Sequence, residues 1–411
     1  MRLKGFQKLT PVEKALQIFF ETVKIGKLKT VSVPLQSALN RVLAKDIVAG
    51  FDLPRVDRSA VDGYALKARD TTGTSQFKPK VLQISENGVI GAGQARQIWT
   101  GNAVPKGADA VIMLENVKKA DEKVEVWSPV TPGDNVSKKG EDISKGNIAV
   151  KAGCRLKPQH IGLIAAFGVT EIEVFEKPKV AALATGSELV EIGSETQENQ
   201  IFDVNRLILS SLCLELGAEP FDLGIVNDDV DEILRKLRSG LEKADVVLTS
   251  GGTSVGVADL VPEAVNGLGK PGVIVHGVAL RPAMPTALAV VGGKPVIILS
   301  GNPVAAMVGF EIFARPLLYR MLGLKREEPR PTIEAELTRK VATTLGRKSF
   351  VRVRVFRRGG ELFAEPISAK GSGIISTMTR ANGFVLVPEN REGLAEGEKV
   401  SVSLFDVVES A

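Results

Sequence analysis

The sequence predicts a multidomain α/β protein with a central, doubly wound and mostly parallel sheet. Three observations support this prediction. The chain has 411 residues, more than the roughly 250 to 300 at which a single hydrophobic core stops growing. Between residues 179 and 322, short apolar runs alternate with helical stretches, as in a doubly wound sheet. On either side of this unit, alternating apolar pieces separated by Gly, Pro, Asn and Asp are typical of β structure.

The first predicted element is an amphipathic helix. Thr10 to Glu13 has the form of a capping box with Pro11 at the first helical position, and apolar residues follow at helical spacing. A domain boundary is expected near residues 176–178. The elements before it are a mostly β segment, a short helix and a strand, at residues 51–141, 158–167 and 171–175.

The central unit is predicted to contain five strands and three helices. Gly217 is expected to close the first helix and Asp229 to cap the second. After a charged linker at 325–331, alternating apolar runs indicate a final small β domain. The predicted strands are 180–184, 221–225, 246–249, 273–275 and 296–299, and the predicted helices are 205–216, 230–243 and 303–322.

The composition excludes several functional classes. Hydrophobic residues make up 44% of the chain and charged residues 25%, which excludes wholesale disorder. A net charge of +5 favours anionic ligands without indicating nucleic acid. With no signal peptide and no apolar run approaching the roughly 18 residues of a membrane helix, we expect a soluble cytoplasmic protein. Two cysteines and two histidines leave the chemistry mainly to carboxylates, hydroxyls and cations; neither His160 nor His276 is assigned a catalytic role.

Polar loops follow the predicted strands of the central unit. Because the carboxyl ends of parallel strands meet at one edge of a sheet, these loops should form one crevice. The loop Thr249-Ser250-Gly251-Gly252-Thr253-Ser254-Val255-Gly256 offers hydroxyls and backbone N–H groups for an oxyanion or phosphate cradle, or is a plain strand-to-helix turn. Glu188, Asp228 and Asp259 belong to loops at the same edge and indicate Mg²⁺, unless they cap a helix or are solvated.

Two arginine segments have both a binding and a structural interpretation. Arg281 lies in a proline-flanked turn after a strand, where a fixed guanidinium suits a tetrahedral oxyanion or pairs with a surface carboxylate. Arg352 and Arg354 share a strand face, which is most often the solvated one. Asp203 is expected to cap a helix, and the polar segments 57–65, 100–101, 140–142 and 371–373 are by default turns.

Taken in order, these segments resemble the molybdopterin molybdenumtransferase family, which is related to the E domain of gephyrin. The resemblance covers nearly the whole chain, and its specificity comes from the ordered set of motifs. The motifs are Ser-Ala-Val-Asp-Gly-Tyr-Ala at 59–65, Thr-Gly at 100–101, Gly-Glu-Asp-Ile at 140–143, Thr-Gly-Ser-Glu-Leu at 185–189, Asp-Val-Asn-Arg at 203–206, the loop at 249–256, and Ser-Gly-Asn-Pro at 300–303.

The resemblance implies an elongated homodimer of four-domain chains. The implied domains are a discontinuous helical first domain at 1–50 plus 143–177, an inserted β domain at 51–142, an α/β molybdopterin-binding domain at 178–326 and a C-terminal β barrel at 327–411. The implied reaction inserts molybdate or tungstate into adenylylated molybdopterin, with Mg²⁺-dependent release of AMP. Transient contact with other enzymes of the cofactor pathway is also implied.

The resemblance assigns roles to individual residues. Glu188, Asp228 and Asp259 are the implied catalytic and metal-binding carboxylates. The oxyanion is assigned to Arg281, Pro282, Arg352, Ser372 and Ser376. The implied substrate-binding residues are Asp62, Thr100 and Asp142 of the facing subunit, together with Thr185, Ser187, Ser250, Gly251, Gly252, Ser254, Ser300 and Pro303.

One segment departs from the family pattern. The family usually has Lys-Pro-Gly-Lys-Pro where this chain has Arg281-Pro282-Ala283-Met284-Pro285, so Met284 removes a second cation and should weaken oxyanion binding. Two other functions stay open at this stage. One is a non-catalytic scaffold or molybdopterin-binding paralogue, since gephyrin clusters receptors with the same architecture, and the other is a molybdopterin adenylyltransferase.

Overall fold

A computed structural model describes residues 9–26, 28–252, 259–324, 330–367 and 372–410. Within these ranges no helix is both long and apolar enough to cross a membrane. The chain starts with helix α1 (Val12–Thr22) and strands β1 (Thr30–Pro34) and β2 (Ile47–Val48). The predicted capping box does not form, because Thr10 pairs instead with residues 277–279 through backbone hydrogen bonds to Gly277 and Ala279.

The following segment is built from β structure with its own small core. Six strands form a sheet in the order β7-β4-β6-β5-β9-β8, and Tyr64, Leu66 and Ile112 are buried on it. The two remaining strands, β3 and β10, pair with each other. The strands are β3 (Arg58–Ser59), β4 (Gly63–Leu66), β5 (Lys80–Ile84), β6 (Gln94–Ile98), β7 (Ala110–Met113), β8 (Val117–Ala120), β9 (Lys123–Val126) and β10 (Val136–Ser137).

The chain then returns to its first segment. Strand β11 (Ile148–Val150) pairs with β2, and after helix α2 (Pro158–Ala166) strand β12 (Glu171–Phe175) pairs with β1. Leu43, Leu156 and Ile164 share one hydrophobic cluster. Residues 30–48 and 148–175 are therefore packed as one body, whereas α1 belongs to a different cluster, because its Val12, Ala15 and Phe19 pack with the central sheet.

A six-stranded sheet forms the centre of the molecule, in the order β16-β13-β17-β21-β20-β18. The first four strands are parallel to one another, whereas β20 is antiparallel to both of its neighbours. The sheet is thus mostly parallel, as predicted. Its strands are β13 (Lys179–Thr185), β16 (Glu219–Val226), β17 (Val246–Ser250), β18 (Pro271–His276), β20 (Ala287–Val291) and β21 (Lys294–Leu299); β14 (Leu189–Val190) and β15 (Ile201–Phe202) pair separately.

Helices cover both faces of this sheet. α3 (Asn205–Leu216) ends at Gly217, whose φ is 91°, and α4 (Val230–Lys243) is capped by Asp229, whose carboxylate accepts the Glu232 N–H; both observations confirm the predictions. α5 (Leu260–Leu268) follows. The predicted helix at 303–322 is α6 (Pro303–Gly309), a π-helical turn at Phe310–Ala314 and α7 (Arg315–Met321). Pro316 explains the interruption, because it has no N–H for the regular helical ladder.

The C-terminal segment closes into a five-stranded barrel. The ring runs β24-β25-β22-β28-β26 and back to β24. Strand β19 (Leu280–Arg281), which belongs to the central unit, pairs with β24, so Arg281 lies opposite Ser349. The barrel region contains β22 (Thr332–Leu337), β23 (Val341–Ala342), β24 (Lys348–Arg358), β25 (Glu361–Pro366), α8 (Ser376–Thr379), β26 (Gly383–Val387), β27 (Gly393–Leu394), β28 (Lys399–Leu404) and β29 (Glu409–Ser410).

Candidate active site

The loops after β13, β17 and β21 meet at one edge of the central sheet. Gly251 and Gly252 lie directly against Thr185: a Cβ atom at position 251 would lie 2.3 Å from the Thr185 carbonyl oxygen, and one at 252 would lie 2.9 Å from its hydroxyl oxygen. Both glycines also have positive φ, 97° and 64°. Glycine is therefore required at these positions for steric and conformational reasons. Thr253 to Ala258, including the predicted site residue Ser254, lie outside the described residues.

Asn205 connects two of these loops. Its Nδ2 donates to the hydroxyl of Ser250 and to the carbonyl of Gly301, both at 2.7 Å. The Ser250 hydroxyl in turn donates to the carbonyl of Ser300 at 3.3 Å. Since one buried amide joins β17, the loop after β21 and the start of α3, it sets the relative position of the two loops.

Charged residues anchor this asparagine. Asp203 accepts the backbone N–H groups of Asn205 and Arg206, as a cap would, although it lies one residue before the N-cap position, which is Val204. Arg206 pairs with Asp203, Asp222 and Glu191. Burial alone would lower the pKa of Arg206, but its bonds to these three carboxylates outweigh burial and raise it. The network keeps the start of α3 rigidly placed beneath the crevice.

Four buried polar atoms at this edge have no hydrogen-bond partner among the described residues. They are Thr185 Oγ1, Asn205 Oδ1, Thr249 Oγ1 and Asp259 Oδ1. An unsatisfied buried polar atom costs about 1–3 kcal/mol, so such atoms are rare unless a ligand or water completes them. Their concentration around one loop supports a ligand cradle over a plain turn.

The contacts of Asn205 lead to a first prediction. Replacement by alanine should lower turnover by roughly 10- to 100-fold, because a displaced loop moves binding groups away from the bound substrate. Steady-state kinetics of Asn205→Ala and Asn205→Asp would measure this, and the aspartate, which cannot donate both hydrogen bonds, should resemble the alanine variant. Equal kinetic constants for wild type and Asn205→Asp would contradict the assigned role.

The predicted carboxylates lie at the same edge but are not assembled into one metal site. The Glu188 carboxylate folds over Gly186, where its Oε2 would lie 2.7 Å from an added Cβ. The backbone N–H of Asp228 donates to the Ser187 hydroxyl at 3.3 Å. Asp259 Oδ2 lies 3.7 Å from His276 Nε2. Within the described part of the chain, no three Asp, Glu, His or Cys residues are grouped to hold an ion.

His276 was not predicted to take part in the site. The structure brings it to Asp259 because β18 runs parallel to β21 and ends at the same edge of the sheet. The sequence showed only that His276 lies at the end of a predicted strand. The direction of that strand, β18, depends on β20, which lies between β18 and β21 and is antiparallel to both.

A cavity of about 600 Å³ lies between the central sheet and the barrel. Arg281, Pro282, Ser300, Arg352 and Ser372 line it, so four of the five predicted oxyanion residues are brought together with one residue of the cradle; Met284 lines it too. Ser376 is exposed at the start of α8 and is not among the lining residues. The position of Pro303 at the start of α6 is stabilised by the next residue, since Val304 N–H donates to the Ser372 carbonyl at 3.1 Å.

Arg352 is a buried cation without a carboxylate partner among the described residues. It is 8% exposed, its Nη1 donates to the Thr377 hydroxyl at 2.7 Å, and its Nε has no partner there. Burial lowers the pKa of its guanidinium. The prediction that these side chains lie on the solvated face is confirmed for Arg354, which pairs with Glu409 and Glu365. It is wrong for Arg352, because the segment carrying Thr377 covers that part of β24.

Asp62, Thr100 and Asp142 belong to the β segment and not to the central sheet. Asp62 Oδ1 accepts the backbone N–H and the hydroxyl of Thr100, both at 2.7 Å, and these bonds lower the pKa of Asp62. Asp142 N–H donates to the Leu53 carbonyl at 3.1 Å. Among the described residues, no hydrogen bond or ion pair connects these three residues to the crevice.

Comparisons with known protein families match three successive regions of the chain. Residues 10–168 match the MoeA N-terminal region (domains I and II), 181–320 a probable molybdopterin binding domain, and 334–405 the MoeA C-terminal region (domain IV). A Bacillus subtilis protein named molybdopterin molybdenumtransferase is 33% identical over 96% of this chain and 94% of its own. A Staphylococcus aureus protein of the same name is 32% identical over 96% of both chains.

A solved structure is also similar to this chain. The crystal structure of the molybdopterin biosynthesis protein MoeA from Pyrococcus horikoshii is 33% identical, covers 97% of this chain and all of its own, and superposes with a TM-score of 0.83. The similarity therefore extends through the β segment, the central sheet and the barrel.

Proposed function

Because the chain belongs to the MoeA family, we propose that it is a molybdopterin molybdenumtransferase that acts in the cytoplasm. Its proposed substrate is adenylylated molybdopterin, into which it inserts molybdate or tungstate as AMP leaves. One observation carries most of this proposal: a cavity with cationic walls adjoins the glycine cradle, and Ser300 borders both. A substrate with phosphates in the cradle would then have its reacting end beside a site for a tetrahedral oxyanion.

The cradle is suited to the phosphates of the substrate. Gly251 and Gly252 have the positive φ values that allow the backbone to approach a ligand closely, and the hydroxyls of Thr185 and Thr249 are buried without partners in the described chain. These hydroxyls would donate to phosphate oxygens when the substrate binds. Asn205 holds Ser250 and Gly301 in place during this step.

Mg²⁺ fits the chemistry of the carboxylates at this edge. Asp259 Oδ1 is a buried oxygen with no described partner, and Mg²⁺ is commonly held by one or two carboxylates together with substrate phosphates and water. The ungrouped carboxylates are compatible with that mode and not with an all-protein cage. Glu188, Asp228 and Asp259 would hold the ion, which supplies charge neutralisation at the diphosphate when bound.

The oxyanion is proposed to bind at Arg352, with Ser300 and Ser372 as neutral donors. Both serines line the same cavity as Arg352. A buried guanidinium forms strong charge-assisted hydrogen bonds to an oxyanion, and Arg352 Nε is available for one. The cation absent at Met284 is offset by other positive side chains on the wall, since Arg339, Lys340 and Arg347 also line the cavity.

A homodimer would complete the site. Within the described residues no hydrogen bond or ion pair joins Asp62, Thr100 or Asp142 to the crevice of their own chain, so we assign their predicted contribution to the facing subunit. The Asp62–Thr100 hydrogen bonds give these side chains one defined arrangement before such contact.

The reaction is tested by substitutions that remove the negative charge of each carboxylate and keep the size of the side chain. In Glu188→Gln, Asp228→Asn and Asp259→Asn, AMP release from adenylylated molybdopterin with molybdate and Mg²⁺ should fall by about 10²- to 10⁴-fold, because charge at the diphosphate is no longer balanced. Glu242→Gln, an exposed change on α4, is the matched control. Unchanged AMP release in all three site variants would contradict the assignment.

A further inference from the structure

A second cavity, with a volume of about 340 Å³, lies between the helices of the central unit and the barrel. We call it the aromatic pocket. Its walls come from both units, and ligand sites form preferentially where two such units meet. The lining includes Ile208 and Leu212 of α3, Met307 of α6, Met378 of α8, Phe384 of β26 and Phe405, which follows β28.

Three phenylalanines form one wall of the aromatic pocket. The ring of Phe384 is stacked on Phe350 at a centroid distance of 4.1 Å and on Phe405 at 6.4 Å, with an angle of 19° between the planes in each pair. Met307 and Met378 place two thioethers in the same lining. Thioether sulfur makes favourable contacts with aromatic rings, and the flexible methionine side chain adapts to ligands of different shape. The wall is therefore suited to a flat aromatic ligand that extends the stack.

The charged groups of the lining are paired with one another. Arg330 binds the Glu311 carboxylate through two hydrogen bonds, of 2.7 and 2.9 Å. Glu215 lies 3.9 Å from Arg330, and Arg315 lies 3.6 Å from Glu311, so two arginines balance two glutamates. Glu311 belongs to the π-helical turn, a rare element that is frequent at functional sites. A charged ligand would disturb this balance, whereas a neutral ligand would leave it intact.

The volume of the aromatic pocket limits what can fill it. About 340 Å³ is near the lower end of the roughly 300–1,000 Å³ found for small-molecule pockets. Leu212 and Met307 are half-buried and Ile375 is exposed, so a ligand would remove apolar surface from water, which is favourable. A small molecule, and not a second protein chain, fits these dimensions.

The short helix α8 and its N-cap residue, Ile375, connect the aromatic pocket to Arg352. Ile375 and Met378 line the pocket, whereas Thr377, between them, accepts the hydrogen bond from Arg352 Nη1 at 2.7 Å. Phe350, two residues before Arg352 on β24, lines both cavities. A ligand in the pocket would thus contact the strand that carries Arg352 and the helix that holds its guanidinium.

We propose that the aromatic pocket binds a small neutral aromatic molecule, and that this ligand strengthens oxyanion binding at Arg352 by fixing the position of α8. The pocket is then a regulatory site, apart from the cradle and from the cavity with cationic walls. The coupling rests on the proposed function for the oxyanion at Arg352, but binding of the aromatic ligand does not. Because coupling between two sites is reciprocal, the oxyanion must strengthen aromatic binding by the same factor.

Fluorescence titration of the intact protein tests the pocket. The probe is N-phenylnaphthylamine, a neutral aromatic amine whose emission rises in apolar surroundings. It should bind saturably to wild type and roughly 10-fold or more weakly to Leu212→Trp, in which an indole fills the pocket. Ile208→Trp, one helical turn earlier, should weaken binding in the same way. Leu214→Trp is the matched control, since Leu214 is 61% exposed on the same helix and is not a lining residue.

Tungstate tests the coupling. Saturation with the probe should lower the Kd of tungstate, measured by calorimetry, by about 5-fold or more, and saturating tungstate should lower the Kd of the probe by the same factor. Thr377→Val keeps the pocket but removes the hydrogen bond to Arg352. The probe should still bind to this variant, and its effect on tungstate should disappear.

Several outcomes would overturn the proposal. Absence of saturable probe binding, or equal binding by wild type and the two pocket-filling variants, would show that the pocket is not the site. Unchanged tungstate affinity with the probe bound would show that the two sites are independent. If tungstate binds neither with nor without the probe, the proposed oxyanion site is wrong, and the probe titration still decides whether the pocket binds its ligand. Circular dichroism would confirm that each variant is folded.

Discussion

Gly251→Ala should lower turnover by about 10²-fold or more while leaving most of the chain folded. A Cβ at this position would lie 2.3 Å from the Thr185 carbonyl oxygen and 3.0 Å from the Thr185 hydroxyl, both in the cradle itself. The backbone must move to relieve these contacts, and a displacement of about 1 Å can cost 10²-fold in rate. The positive φ of 97° adds about 1–2 kcal/mol of local strain for alanine. AMP release is the measurement.

Gly133 provides a matched control for the effect of replacing a glycine that has a positive φ. Its φ is 94°, close to that of Gly251, but a Cβ there would have no atom within 4 Å. Gly133→Ala should therefore lower thermal stability modestly and leave AMP release within about 3-fold of wild type. If Gly133→Ala and Gly251→Ala lose activity to the same extent, the strain of positive φ and not the contact with Thr185 would be responsible.

Arg352→Met should remove oxyanion-stimulated AMP release, by 10²-fold or more, without lowering thermal stability. The guanidinium is buried without a carboxylate partner among the described residues, and burial lowers its pKa, which means that its charged form is disfavoured in the folded protein. An apolar chain of similar length removes that unfavourable term, so the unfolding temperature should stay equal or rise. Function and stability should thus change in opposite directions.

Arg354→Met is the matched control on the same strand. The Arg354 side chain is 42% exposed and pairs with Glu409 and Glu365, so its loss should leave activity near wild type and lower stability only slightly. Thermal unfolding and AMP release with and without molybdate would be measured for both variants. A large loss of stability in Arg352→Met, with activity lost only in proportion, would show that Arg352 is a structural residue.

Elements determined by local signals could be predicted from the sequence. Asp229 begins its helix and Gly217 ends its helix, as expected, because a helix cap is determined by neighbouring residues in the sequence. β20 was missed because Ala287–Val291 is short and lies between a proline-rich turn and Gly292-Gly293. The capping box at Thr10 failed because a distant segment, 277–279, takes its backbone groups. The domain boundaries stay predictions.

The candidate site was predictable where it depends on strand ends and not where it depends on domain packing. Thr185, Ser250 and Gly251 meet because parallel strands end at one edge. Arg339, Lys340 and Arg347 were missed because nothing in a single strand or loop shows that the barrel faces the central sheet. The strand alternation around Arg352 gave the wrong exposure because it does not show that the segment carrying Thr377 covers that part of β24.

The pairing of β19 with β24 bears on how the cavity responds to ligands. Leu280, Phe350 and Phe384 also belong to the same hydrophobic cluster as the central sheet and its helices, so sheet and barrel share one core. Widening the cavity by a hinge motion would break backbone hydrogen bonds and expose this core. The two walls are therefore preorganised, and the conformational entropy of bringing them together is lost during folding and not during association with the ligand.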